Sequence, residues 1–153
     1  MISWDKCKED FRPDGSLRDI YITPATLADW RAIYPLLRDF PAAEFLVDGM
    51  LQSPPATVEQ VLATRPSGSP TLRLRIGRAL VAFHFFADEE IECDVSPHEV
   101  TSQADLDMLL NFIRQLGDMT CRRVVITPEN LREQPFITYD PESKEFEHHE
   151  IAV

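Results

Sequence analysis

The residues best suited to chemistry lie in one stretch, Phe83 to Val100, which reads FHFFADEEIECDVSPHEV. Residues of these types can bind a divalent metal ion or act as a general acid and base, and they also occur on the charged surface of a sheet. Their spacing decides among these interpretations. Two histidines flank five carboxylates: His84, His98, Asp88, Glu89, Glu90, Glu92 and Asp94.

A metal site requires ligands that converge, through a short fixed spacing or a rigid strand pair. The sequence places His84 on a strand, Asp88 at a turn, and His98 beyond Pro97 in the segment that leads into a helix. Because these positions do not converge, we predict no metal site, and no motif indicates a cofactor.

General acid–base catalysis requires a carboxyl group whose pKa is raised by an apolar pocket. Glu90, Glu92 and Asp94 alternate with apolar residues, which predicts a strand whose three carboxylates all point outward into water. Neighbouring acids raise the pKa of the Cys93 thiol and make it a poor nucleophile. The chain also contains no glycine-rich phosphate loop, no G-x-S-x-G and no H-E-x-x-H. We therefore predict no catalytic residue.

Three neighbouring runs, TLRLRIG, RALVAFHFF and EEIECDV, predict an antiparallel meander. Opposite charges that face each other across such strands stabilise a sheet by about 0.2–1 kcal/mol per pair. Sheet structure therefore explains the charges, but it does not require an exposed aromatic such as Phe86. A charged, open sheet face with an aromatic side chain is typical of a protein-binding surface. The predicted partner-binding residues are Arg73, Arg75, His84, Phe86, Glu90, Glu92 and Asp94.

The net charge of −11 is concentrated in the second half of the chain. Residues 1–80 carry ten acids and ten bases, whereas residues 81–153 carry sixteen acids and five bases. Such a field repels nucleic acid and anionic membranes and attracts a basic protein partner. Solubility is an alternative reason for the same acidity.

The composition fits one soluble globular domain over residues 1–153, with 44% hydrophobic and 27% charged residues. No apolar run reaches the roughly 18–20 residues of a membrane span, and the first residues contain no apolar signal segment, which indicates a cytoplasmic protein. Cys7, Cys93 and Cys121 lack the spacing of a zinc or redox motif and are predicted to be buried or half-buried free thiols.

Two segments predict long amphipathic helices. In TPATLADWRAIYPLLRDF, Thr23 is the expected cap and Pro35 predicts a kink or an end near Tyr34. In SQADLDMLLNFIRQLGDM, Ser102 is the expected cap. We expect ten side chains to be buried: Leu27, Trp30, Leu37, Leu72, Leu74, Ile91, Leu106, Leu109, Ile113 and Val125.

The predicted element order is β-α-β-(α)-β-β-β-α-β-β-β, an α+β domain. It contains a single mixed, mainly antiparallel sheet with the two long helices packed on one face. The strand RRVVITPEN should run parallel to an earlier strand, because a whole helix separates it from EEIECDV. The segment Pro54–Pro70 contains a short helix, and its sequence fits either a lid or a plain connector.

Three runs, FRPDGSLRDIYI, TLADW and PENLREQPFITYDPESKEF, resemble small, uncharacterised bacterial proteins of the polymorphic-toxin immunity type. They cover roughly a quarter of the chain, and none is a catalytic motif. The resemblance implies a cytosolic antitoxin that binds and blocks a cognate toxin. It implies no functional residue, because no residue pattern in that group defines the toxin contact.

These observations favour a non-enzymatic protein-binding domain, an immunity-type inhibitor that binds a basic partner through its acidic C-terminal half. One alternative is a small enzyme or ligand-binding domain with a site formed around Tyr21, Trp30, Arg75 and His84. A second alternative is a subunit of a larger bacterial assembly. The sequence does not define the oligomeric state.

Overall fold

The computed structural model describes residues 1–150, which form one large sheet and a layer of helices. The helices among them are α1 (Trp4–Cys7), α2 (Leu27–Arg38), α3 (Val58–Ala63) and α4 (Gln103–Thr120), with 3-10 turns at Lys8–Phe11 and Pro97–Glu99. The strands are β1 (Arg18–Ile22), β2 (Glu44–Val47), β3 (Met50–Gln52), β4 (Pro70–Ile76), β5 (Ala79–His84), β6 (Ile91–Val95), β7 (Val124–Pro128), β8 (Ile137–Asp140) and β9 (Glu145–His148). No helix within this part of the chain is long and apolar enough to cross a bilayer.

The sheet has the strand order β3-β2-β4-β5-β6-β1-β7-β8-β9, and every neighbouring pair is antiparallel. Helices α2 and α4 pack together against one face of this sheet. The predicted α+β class, with two long helices on one face, is therefore confirmed. Within residues 1–150 the other face carries no helix, and we call it the open face.

The sheet differs from expectation at β7, which forms no parallel pair. Strand β1 lies between β6 and β7 and is antiparallel to both. Strands β6 and β7 thus run in the same direction, as the connection through α4 requires, but they do not touch. A strand from the beginning of the chain occupies the position between them, and the sheet is therefore wholly antiparallel rather than mixed.

Local sequence signals define the two long helices, with two corrections. Thr26, not Thr23, caps α2, since its hydroxyl accepts a bond from the Asp29 backbone and the Asp29 carboxylate accepts one from the Thr26 backbone. Pro35 does not end this helix, because Tyr34 and Leu37 are buried and hold its last turn against the core. Ser102 caps α4, as predicted.

The core lies between the helices and the sheet. Trp30 stacks on Phe85 with ring centroids 4.8 Å apart, and Phe112 meets Phe83 edge-on at 6.1 Å. The predicted core is confirmed at eight of its ten positions, whereas Leu27 and Val125 are only partly buried. Val125 faces away from the helices because its neighbours in β7, Val124 and Ile126, are the residues that enter the core.

The segment between β2 and β4 is anchored to the core. Asp48 and Gly49, with φ angles of 50° and 79°, make a two-residue turn that joins β2 to β3. Strand β3 was not predicted from the sequence, although an Asp-Gly pair is a known signal for such a hairpin. Within the Pro54–Pro70 segment, α3 buries the side chains of Val58, Val61 and Leu62. The Tyr34 hydroxyl also donates to the Pro55 carbonyl oxygen at 2.6 Å. This segment is therefore a packed connector.

Candidate functional site

The strand register brings most of the predicted partner-binding residues together on the open face. Directly opposed residues of neighbouring strands share a face, so two rows of side chains can be followed across the sheet. The first row is Arg73, Ala82, Asp94 and Asp19, and the second is Thr71, His84, Glu92 and Tyr21. Arg75 follows Arg73 by two residues on β4 and lies on the same face.

A pair formed by His84 and Asp94 occupies the middle of the open face. The His84 Nε2 atom lies 2.6 Å from Asp94 Oδ2, and both side chains are largely shielded from solvent. The hydrogen bond to Asp94 raises the pKa of His84 above its ordinary value, and burial opposes this effect only in part. The carboxylate thus holds the imidazole in a fixed orientation.

Phe86 lies flat on the His84 ring. The two ring centroids are 5.2 Å apart and the planes are nearly parallel, at 5°. Phe86, two residues beyond the end of β5, nevertheless remains 62% exposed. The stack presents a rigid aromatic surface to solvent.

Asp19, which the sequence analysis did not single out, is buried on the same face. It lies directly opposite Asp94 across β1 and β6. Its carboxylate accepts bonds from the Tyr21 hydroxyl at 3.0 Å and from the Asn130 backbone at 2.8 Å. Burial, followed by the hydrogen bond to Asp19, raises the pKa of Tyr21 above its ordinary value. Local alternation cannot identify Asp19, since it is the pairing of β1 with β6 that places it here.

The loop that follows β7 covers the part of the open face beyond β6. The Arg132 guanidinium lies 4.8 Å from the centre of the Tyr21 ring and forms an ion pair with Glu90. The expectation that Glu90, Glu92 and Asp94 all point into water is therefore wrong. Glu90 and Asp94 are held by partners within the protein, with side chains only 16% and 18% exposed.

Glu92 lies between His84 and Tyr21, directly opposite both of them in the register. Burial raises the pKa of Glu92, and the nearby carboxylates of Asp19 and Glu90 raise it further. Three acids therefore approach one another around the β1–β6 ladder, and the His84 imidazole and the Arg132 guanidinium lie beside them.

The two arginines of β4 pair away from this acidic group. Arg73 bonds Glu44 of β2 at 3.1 Å, and Arg75 bonds Glu99 of the 3-10 turn at 3.2 Å. The opposite charges of β4 and β6 lie in one sheet face, as predicted. Their ion pairs, however, form with nearer carboxylates outside β6.

The four residues of the alternative enzyme site do not surround one cavity. Trp30 lies on the helix side of the sheet, where its indole Nε1 donates to the Ala87 carbonyl oxygen at 3.1 Å. Tyr21 and His84 lie on the open face, with Glu92 between them. The sheet itself separates the tryptophan from the other residues.

The cysteines lie outside the open face. Cys93 is buried on the helix side of β6, where burial raises its pKa well above the ordinary value. Burial also raises the pKa of Cys7 to about 11. Cys121 is exposed, unlike the buried or half-buried thiol expected from the sequence. Within residues 1–150, no group of three or more His, Cys, Asp or Glu side chains is arranged to hold a metal ion.

The chain matches no protein-family model, and neither the curated proteins nor the solved structures contain a significant match to it.

Proposed function

We propose that this protein is a non-enzymatic binding protein that captures a basic protein partner on its open face. The observation that carries the proposal is the stack of Phe86 on His84. A rigid aromatic side chain that is 62% exposed has the properties of an interface anchor, because it buries much apolar surface on binding and loses little conformational freedom.

The surroundings of the stack favour a cationic partner. Around the stack, on the strands from β2 to β1 and in the turns beside them, carboxylates outnumber the arginines. A partner lysine or arginine would meet an acidic surface and could pack on the free side of the Phe86 ring. The carboxylates include those of Asp19, Glu44, Glu90, Glu92, Asp94 and Glu99, and the arginines include Arg73, Arg75 and Arg132.

The open face also has an apolar end. Leu51 of β3 lies opposite Leu46, in the row that continues through Thr71 to His84. Leu51 is 66% exposed. Because neighbouring strands are about 4.8 Å apart, Leu51 and His84 are separated by roughly 14 Å, a distance that one protein partner can span. The resemblance to immunity-type proteins makes a cognate toxin the first partner to test.

The test uses immobilised protein to capture partners from a lysate of its own host, followed by kinetic binding measurements with the purified partner. Phe86→Ala should reduce affinity at least about tenfold, as truncation of an interface anchor does. Met50→Ala removes a side chain that is 69% exposed and lies off the open face, so it should bind like the wild type. An acidic partner, or equal affinity of both variants, would refute the proposal.

Salt dependence provides a second measurement on the same complex. Carboxylates at an interface steer a basic partner and raise its association rate, and this effect is screened over about 8 Å at physiological ionic strength. Glu92→Lys should therefore slow association more at low salt than at high salt. A rate that is unchanged at low salt would show that the acids of this face do not guide the partner.

A further inference from the structure

The outer surface of α4 carries a continuous stripe without charge. Its exposed positions are spaced by four, three, four and four residues, which places them along one side of a helix. Charged residues do occur in α4, but each lies off this stripe. In a chain with 27% charged residues and a net charge of −11, a neutral exposed stripe on the longest helix is unexpected. The stripe consists of Ala104, Met108, Asn111, Gln115 and Met119.

Two methionines make this surface apolar. Met108 is 48% exposed and Met119 is 42% exposed, and they lie near opposite ends of the stripe. A shallow groove beside the stripe is lined by Phe40, Ile76 and Phe112. Flexible methionine side chains next to an apolar groove are suited to pack against another helix.

Asp107 and Arg114 border the stripe on one side, and Arg114, whose guanidinium lies 5.3 Å from the centre of the Phe146 ring, also lines the groove. They are seven residues apart, which is two turns or about 10.5 Å along the helix, so they cannot pair with each other. Asp107 accepts a bond from Gln103, and Arg114 donates to Asn111. Within residues 1–150 neither side chain forms an ion pair.

We propose that α4 packs antiparallel against α4 of a second copy of this chain, about a two-fold axis at Asn111. Asp107 lies four residues before Asn111 and Arg114 lies three residues after it. An antiparallel two-fold contact therefore places each Asp107 opposite the partner's Arg114, and the ion pair forms twice. This charge complementarity identifies a second copy as the occupant.

The same symmetry operation matches the rest of the stripe. Ala104, seven residues before Asn111, comes opposite the partner's Met119, eight residues after it, so that a small side chain faces a large one. Met108 comes opposite the partner's Gln115 in the same way. The two Asn111 side chains meet at the axis, where a polar pair fixes the register of two packed helices.

The dimer leaves the open face free. Helix α4 covers the other face of the sheet, so the two open faces of the dimer point away from each other. One helix pair buries less surface than the roughly 800 Å² per partner of a standard interface, and the dimer is therefore reversible and depends on concentration. The proposal does not rest on the proposed function, because it concerns a different surface.

Sedimentation velocity over a concentration series tests the dimer. The wild type should shift from monomer to dimer as its concentration rises. Asp107→Arg brings like charges together at both symmetry-related positions, and Arg114→Asp does the same with the opposite sign. Each variant alone should dimerise about tenfold or more weakly. An equimolar mixture of the two variants should dimerise again, because in the mixed dimer the introduced arginine faces the introduced aspartate and the native Arg114 of one chain faces the native Asp107 of the other.

Two further variants test whether the methionines of the stripe form the contact between the two copies. Met108→Asp should also prevent dimerisation, whereas Met50→Asp, on an exposed methionine of the edge strand β3, should not. Thermal melts check that each variant is folded. A wild type that stays monomeric throughout the series, or a mixture of the charge variants that stays monomeric while the wild type dimerises, would overturn the proposal.

Discussion

The Nε2 atom of His84 lies 2.6 Å from Asp94 Oδ2, and the hydrogen bond between them raises the pKa of the imidazole. A group with a raised pKa in the folded state binds its proton more tightly there than in the unfolded chain. The stabilisation is fully present below the unfolded pKa, about 6.5 for histidine, and is lost as pH rises through the folded value.

His84→Gln should therefore destabilise the protein most at mildly acidic pH. A hydrogen bond to a charged group contributes about 1.5–3 kcal/mol, and we expect the variant to lose about this much free energy of unfolding near pH 6. The free energy of unfolding of both proteins, measured by urea denaturation from pH 6 to pH 9, should converge as pH rises. A difference that is constant over this range would contradict the assigned role of the pair.

Glu92→Gln should stabilise the protein at neutral pH. The pKa of Glu92 is raised by burial and by neighbouring acids, so its ionised form is less favourable in the folded state than in the unfolded chain. The cost of this charge disappears as pH falls through the raised pKa, and the advantage of the variant should shrink on acidification. Unfolding free energies at pH 7 and pH 5 check this, with Glu145→Gln at an exposed residue of β9 as the control. A less stable Glu92→Gln protein at pH 7 would refute it.

Arg132→Ala should loosen the loop that covers Tyr21. This side chain provides both the contact with the Tyr21 ring and the ion pair with Glu90. Without it, the backbone amides of residues 131–134 should exchange hydrogen faster, while those of β4 and β5 remain protected. Arg123→Ala removes an exposed arginine whose contact is with Asp140, and it should leave exchange in the loop unchanged. Equal protection in both variants would show that Arg132 does not hold the loop.

Leu109→Ala should destabilise the protein by about 2–5 kcal/mol, because Leu109 is fully buried between α4 and the sheet. Leu131→Ala makes the same chemical change at a side chain that is 42% exposed, and it should cost less than about 1 kcal/mol. Urea denaturation measures both. A loss below about 1 kcal/mol at Leu109 would mean that this face of α4 is not in the core.

Local patterns in the sequence are sufficient to predict the elements on which the open face depends. The alternation of β4 and β6 identifies which side chains share a face, and the periodicity of α4 with its Ser102 cap predicts the longest helix. Both signals are local, since each depends only on which neighbouring residues must be buried. Arg73, Asp94 and Glu92 could therefore be assigned to one face before any strand order was known.

Strand order, by contrast, was decided by tertiary structure. Residue pairing between β1 and β6 joins distant parts of the chain, and no local pattern specifies it. That pairing puts Asp19 opposite Asp94 and Tyr21 opposite Glu92, and it lets Arg132 cover the tyrosine. The alternation of β6 predicts that its carboxylates are exposed to water. They are half-buried because β1 and the loop with Arg132 pack beside them. The sequence by itself determined which side chains point away from the helices, and packing among distant segments decided which of them remain exposed.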